Sequence, residues 1–121
     1  PPEGADWAAP MRVIEEFTWR FDGAGEIEPG YSHIFVVSAD GGAPRQVTQG
    51  AHDFDGPLAW LPDGKALIVA ANPVADAERD PLESDLYRVA IADGALTRLT
   101  QRDGPDASPA ISANGRYVAY V

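Results

Sequence analysis

Apolar runs of five to nine residues, separated by breaks rich in glycine, proline and aspartate, recur along the whole chain. With their β-branched and aromatic content they read as strands at 13–21 (VIEEFTWRF), 33–39 (HIFVVSA), 44–48 (PRQVT), 57–61 (PLAWL), 66–71 (ALIVAA), 85–91 (DLYRVAI), 96–100 (LTRLT), 108–112 (SPAIS) and 117–121 (YVAYV). The breaks carry Asp-Gly at 22, 40, 55, 63, 93 and 103 and Asn-Gly at 114, dipeptides that suit tight hairpin turns. No segment shows the apolar period of a helix, so the predicted class is all-β.

The pattern repeats. IFVVSADGGAPRQVT (34–48) aligns without gaps to LYRVAIADGALTRLT (86–100) at an offset of 52 residues. PLAWLPDGKALIVA (57–70) and PAISANGRYVAYV (109–121) follow in the same order, at an offset of 51 once one residue is dropped before the turn. Four antiparallel strands per unit describe a propeller blade. The expected organisation is an N-terminal extension (1–11) and a partial β-propeller (12–121). Within the latter, 12–48 supplies three strands of one blade, 57–100 a complete blade, and 108–121 the first two strands of the next. Pro1-Pro2 in place of an initiator Met, and an apolar strand running to Val121, suggest an excerpt from a longer polypeptide. The competing fold is an independent nine-stranded sandwich.

Antiparallel order sends the tight turns at 40–42, 62–64 and 93–94 to one face of the ring and the longer connections to the other. That second face holds 22–32, 49–56, 72–84 and 101–107, which together carry eleven of the nineteen Asp and Glu against only Arg79 and Arg102. Such a surface attracts cationic peptides or amino termini at long range; the plainer reading is a solvated rim. The formal net charge of −10 opposes phosphate contacts and argues against nucleic acid. No apolar run reaches membrane-spanning length, and PPEGADWAAP lacks the order of a signal peptide, so neither membrane insertion nor a leader is expected. Zero cysteines exclude disulfides and thiolate metal sites but leave cytoplasm and periplasm both open, the cytoplasm slightly favoured.

Several residues invite a chemical reading. Gly30-Tyr31-Ser32 begins like a Gly-x-Ser-x-Gly nucleophile elbow, but Ile34 stands where the second Gly is needed and a strand follows, so Ser32 reads as a loop residue. His33 and His52 are the two imidazoles, and His52 adjoins Asp53 and Asp55, which could open a calcium loop. No further ligand follows at EF-hand spacing, and Asp also serves turns. Asp76, Glu78 and Asp80 are discounted alike. Glu15 and Glu16 point to opposite faces of a strand and read as edge charges rather than a catalytic pair. Trp60, Phe35, Tyr87, Tyr117 and Tyr120 lie inside the repeats and are expected to pack between blades, with ring stacking on a ligand the alternative; Trp7 and Trp19 are less defined. No catalytic, metal or cofactor residue is therefore assigned.

WLPDGKALIV resembles the TolB-like propeller signature Trp-Ser-Pro-Asp-Gly-Lys, with Leu61 for the usual Ser, and GGAPRQVTQG and TRLTQ match its Leu-Thr blade end. ISANG has lost the Trp, Pro and Asp of that signature. VIEEFTWRFDGAG, SHIFVVSADGGAPRQVT and ANPVADAERDPLESDLY further resemble the propeller of acylaminoacyl-peptidase-like members of the prolyl oligopeptidase family. That resemblance implies a serine peptidase whose propeller covers a separate α/β-hydrolase domain and restricts access to short peptides. The family's Ser, Asp and His lie in the hydrolase domain and match no position here, so this segment is expected to gate rather than catalyse. The alternative is a TolB-like protein-interaction propeller without hydrolase activity; a propeller-based lyase is disfavoured by the scarcity of His. Missing blades and the hydrolase domain are the expected partners, and the isolated segment is expected to self-associate through open blade faces.

Overall fold

A computed structural model of the protein describes residues 3–4, 8, 10–11, 13–15 and 19–121. Among them the chain is all-β: β1 (Arg20–Phe21), β2 (Gly25–Glu26), β3 (Phe35–Val36), β4 (Arg45–Gln46), β5 (Leu58–Trp60), β6 (Ala66–Ala71), β7 (Asp85–Ala90), β8 (Leu96–Arg98), β9 (Ala110–Ile111) and β10 (Val118–Ala119), with one 3-10 turn at Ala77–Arg79. Strands β5 to β8 form a four-stranded antiparallel sheet in sequence order, and β1–β2, β3–β4 and β9–β10 form three two-stranded hairpins. This is a partial propeller, with one four-stranded blade flanked by hairpins.

ALIVAA forms β6 because a central strand buried on both faces needs an unbroken apolar run rather than alternation. All six of its residues are buried. Leu67, Val69 and Ala71 join Ile34, Val47, Phe54, Tyr87 and Val89 in one cluster, packed toward the β3–β4 hairpin. Ile68 and Ala70 face the opposite way and meet Leu86, with Leu61, Ala107, Ile111, Val118 and Tyr120 partly buried around them, toward the β9–β10 hairpin. The period-two alternation of a strand thus distributes one sequence between two cores.

Turns at the tight-turn end share a mechanism. The carboxylate of Asp63 accepts the Lys65 N–H at 3.0 Å, Asp93 accepts that of Ala95 at 3.0 Å, and the Asn114 carbonyl accepts that of Arg116 at 3.1 Å. Gly94 is required twice over: its φ is +74°, and a Cβ there would lie 2.1 Å from the Val47 carbonyl oxygen. The same turn receives the Arg45 guanidinium on the Ile91 carbonyl, so the β7–β8 turn is fastened to the preceding hairpin.

At the other strand ends the Val-Thr and Leu-Thr pairs acquire a physical role. Thr48 Oγ1 accepts the Ile34 N–H at 2.9 Å, and Thr100 Oγ1 accepts the Leu86 N–H at 2.9 Å. Two residues before each Thr, Gln46 and Arg98 donate to its carbonyl, at 2.8 and 2.9 Å. Each pair of bonds recurs at the 52-residue offset.

Two expectations change. Part of the first candidate strand, including Glu16, lies outside the described residues, as does Trp7. Of the portion described, 13–15 form no strand and β1 turns back immediately on β2 with Arg20 opposite Glu26, while 33–39 contributes β3, paired to β4. The aromatic residues divide. Tyr87 is buried and Tyr120 joins the second cluster, but Trp60, Phe35 and Tyr117 are half-exposed or more, at 49, 56 and 68%. Trp60 lies on β5, the edge strand, and Phe35 points away from the face that Ile34 and Val36 bury. No helix among the described residues is long and apolar enough to cross a membrane.

Candidate functional site

The long connections meet at one end of the sheet around an open cleft of about 920 Å³. Loops 22–32, 49–56 and 72–84 line it, and Ala107 adds the edge of the next connection. Each loop is held by backbone geometry that the sequence permits. Ser32 donates its N–H to Asp53 Oδ1 at 2.7 Å, and Phe54 returns an N–H to the Ser32 carbonyl at 2.8 Å, so 49–56 is stitched to the start of the third strand. Gly56 then passes so close to β6 that a Cβ would sit 2.0 Å from the Ala70 carbonyl oxygen. Across the cleft, Asn72 donates to the Asp80 carbonyl at 3.1 Å, closing the base of the 72–84 loop, and Glu83 accepts the Gly104 N–H at 2.7 Å.

Glu28, Asp53, Asp55, Glu78 and Glu83 line the cleft, and no Lys or Arg does so among the described residues. Phe21, Tyr31 and Val74 contribute apolar surface. A largely apolar cleft that carries five carboxylates suits a cationic or amino-terminal peptide group, since clefts focus the field of their charges.

Ser32, His52 and Asp53 all line this cleft, yet they do not form a nucleophilic constellation. Asp53 is engaged by the Ser32 backbone amide, and His52 makes no hydrogen bond to either among the described residues. His33 lies elsewhere, with Nδ1 3.3 Å from Thr48 Oγ1 and its ring 6.1 Å from that of Phe54. Asp76 forms an exposed pair with Arg79 at 3.8 Å, beside the 3-10 turn. Among the described residues no group of three or more His, Cys, Asp or Glu is placed to hold a metal ion.

Two buried carboxylates went unnoticed in the sequence. Asp85, 4% exposed, is salt-bridged to Arg98 and accepts the Thr100 hydroxyl at 3.3 Å. Burial, opposed by Arg98 and reinforced by Asp85, raises the pKa of the neighbouring Tyr87. Asp106, 2% exposed, stands across from Ser84, whose hydroxyl donates to its carbonyl at 3.2 Å. At an offset of 52, Asp85 stands where the first unit has His33, and Asp106 where it has Phe54.

Comparison with known proteins assigns residues 8–120 to the family described as the dipeptidyl peptidase IV N-terminal region. An uncharacterized protein of Agrobacterium fabrum is 30% identical over 95 residues, covering 78% of this chain and 29% of its own length. Dipeptidyl-peptidase 5 of Porphyromonas gingivalis is 29% identical over 113 residues, covering 81% of this chain and 16% of its own length. The chain thus spans less than a third of either relative. No solved structure gives a significant match.

Proposed function

Since this chain belongs to the family of dipeptidyl peptidase IV N-terminal regions, we propose that it is the non-catalytic propeller portion of an acylaminoacyl-peptidase-like serine peptidase of the prolyl oligopeptidase family, gating the access of short peptides to a separate α/β-hydrolase domain. The observation that carries this reading is the acidic cleft at the long-loop end of a blade from a peptidase-associated propeller. The five carboxylates concentrate cationic substrates near the ring by steering, and the blades exclude bulky ones. No residue of this segment is assigned to bond breaking: the Asp53 carboxylate accepts the Ser32 backbone N–H rather than orienting a histidine.

The test uses the complete protein. It is expected to react with a serine-directed fluorophosphonate and to cleave short peptides while sparing a folded protein of the same local sequence. Absence of fluorophosphonate labelling, together with retention of a protein partner on affinity capture, would replace the gating reading with that of an interaction propeller.

A further inference from the structure

Positions 54 and 106 are equivalent in the repeat, and the backbone treats them alike. The Phe54 N–H donates to the Ser32 carbonyl at 2.8 Å, and the Asp106 N–H to the Ser84 carbonyl at 2.8 Å. Their side chains oppose each other in character. Phe54 completes the apolar cluster between the β3–β4 hairpin and the blade. Asp106, 2% exposed, brings a carboxylate to the corresponding place on the other side, where only Ile68, Ala70 and Leu86 form the buried cluster.

That carboxylate is poorly served. Oδ2 is buried without a hydrogen-bond partner among the described residues, and Oδ1 has Arg102 Nη1 at 4.0 Å, on a side chain that is 71% exposed. Tyr120, and after it Asp106, hold the Arg102 guanidinium above its ordinary pKa. Ala107 and Val121 exchange reciprocal backbone bonds at 2.6 and 3.0 Å, so the residue after Asp106 moves with the β9–β10 hairpin. A buried, unpaired charged oxygen penalises the closed state, and the penalty vanishes when water reaches it.

We propose that Asp106 makes the joint between the four-stranded blade and the β9–β10 hairpin the place where this protein opens, with Arg102 as the latch that closes it. The apolar Phe54 joint stays shut under the same conditions. This inference goes beyond the peptidase reading and does not rest on it.

The two equivalent amides are the reporters, read by residue-resolved hydrogen exchange on the full chain and corrected for intrinsic rates. The Asp106 amide is expected to exchange roughly 5- to 30-fold faster than that of Phe54, the range that a penalty of this kind produces in an opening equilibrium. Asp106→Leu narrows that ratio, and Arg102→Gln widens it while leaving the Phe54 amide unchanged. An unchanged or wider ratio in Asp106→Leu overturns the proposal. If that variant does not fold, the isosteric Asp106→Asn, which removes the charge, decides: a narrower ratio supports the joint, and an unchanged or wider one overturns it.

Discussion

Thr48→Val isolates the bond by which the end of one strand closes the start of another. The substitution preserves shape and deletes only the hydroxyl, which accepts the Ile34 N–H at 2.9 Å and lies 3.3 Å from His33 Nδ1. Thr48 is 2% exposed and Ile34 7%, so no water replaces the lost acceptor without opening the fold. An orphaned buried N–H costs about 1–3 kcal/mol. The methyl that replaces it returns about 0.8 kcal/mol of burial, leaving a net loss of roughly 0.2–2 kcal/mol. For a domain of this size that corresponds to a fall in Tm of roughly 1–10 °C. Urea unfolding followed by tryptophan fluorescence gives the change in midpoint, and an unchanged m-value confirms that the native surface is intact. The equivalent Thr100→Val costs more, because its hydroxyl also donates to the charged Asp85. If Thr48→Val is neutral or stabilising, or if the Ile34 amide keeps its exchange protection, the capping role is wrong.

Gly94→Ala sets a Cβ against the Val47 carbonyl at positive φ, and a loss of at least about 2 kcal/mol is expected in the same urea experiment. Tyr87 has a raised folded-state pKa, so its contribution is fully present below the ordinary value of 10.0 and is lost as pH rises from there toward the folded pKa. Tyr87→Phe should therefore flatten the fall in urea midpoint above about pH 10. If the complete protein has the proposed peptidase activity, Asp53→Asn with Asp55→Asn should raise its KM for short peptides with cationic ends, leave neutral peptides little changed, and lose its effect at high salt. Half-exposed Leu58, Trp60 and Phe35 lead us to expect oligomers of the isolated chain in light scattering, and charged substitutions at Trp60 and Phe35 should reduce them.

The central blade was legible because its signals are local: an unbroken apolar run at 66–71, Asx-Gly turns on either side, and a copy 52 residues away. The acidic end was legible for the same reason, since loop composition survives without knowledge of contacts. Bonds between Thr48 and Ile34, or Thr100 and Leu86, span fourteen residues across a hairpin and follow no helical or strand period. The Leu-Thr ending was visible; its purpose required the pairing. The β1–β2 hairpin escaped because the apolar content of 13–21 favoured one long strand, while glycines at 23 and 25, with φ of +83° and +84°, reverse the chain directly after Phe21. Trp60 was assigned to an interior because apolar character alone does not distinguish an edge strand from a central one.

The stitches by which Phe54 reaches Ser32 and Asp106 reaches Ser84 share a main-chain N–H to carbonyl bond, whatever the side chain at 54 or 106. A gene segment duplicated at this pitch would arrive with its joinery intact, whatever residue it later acquired at the shared position. Descendants of one ancestral unit could then diverge from greasy to charged without altering how far each is rotated from the next.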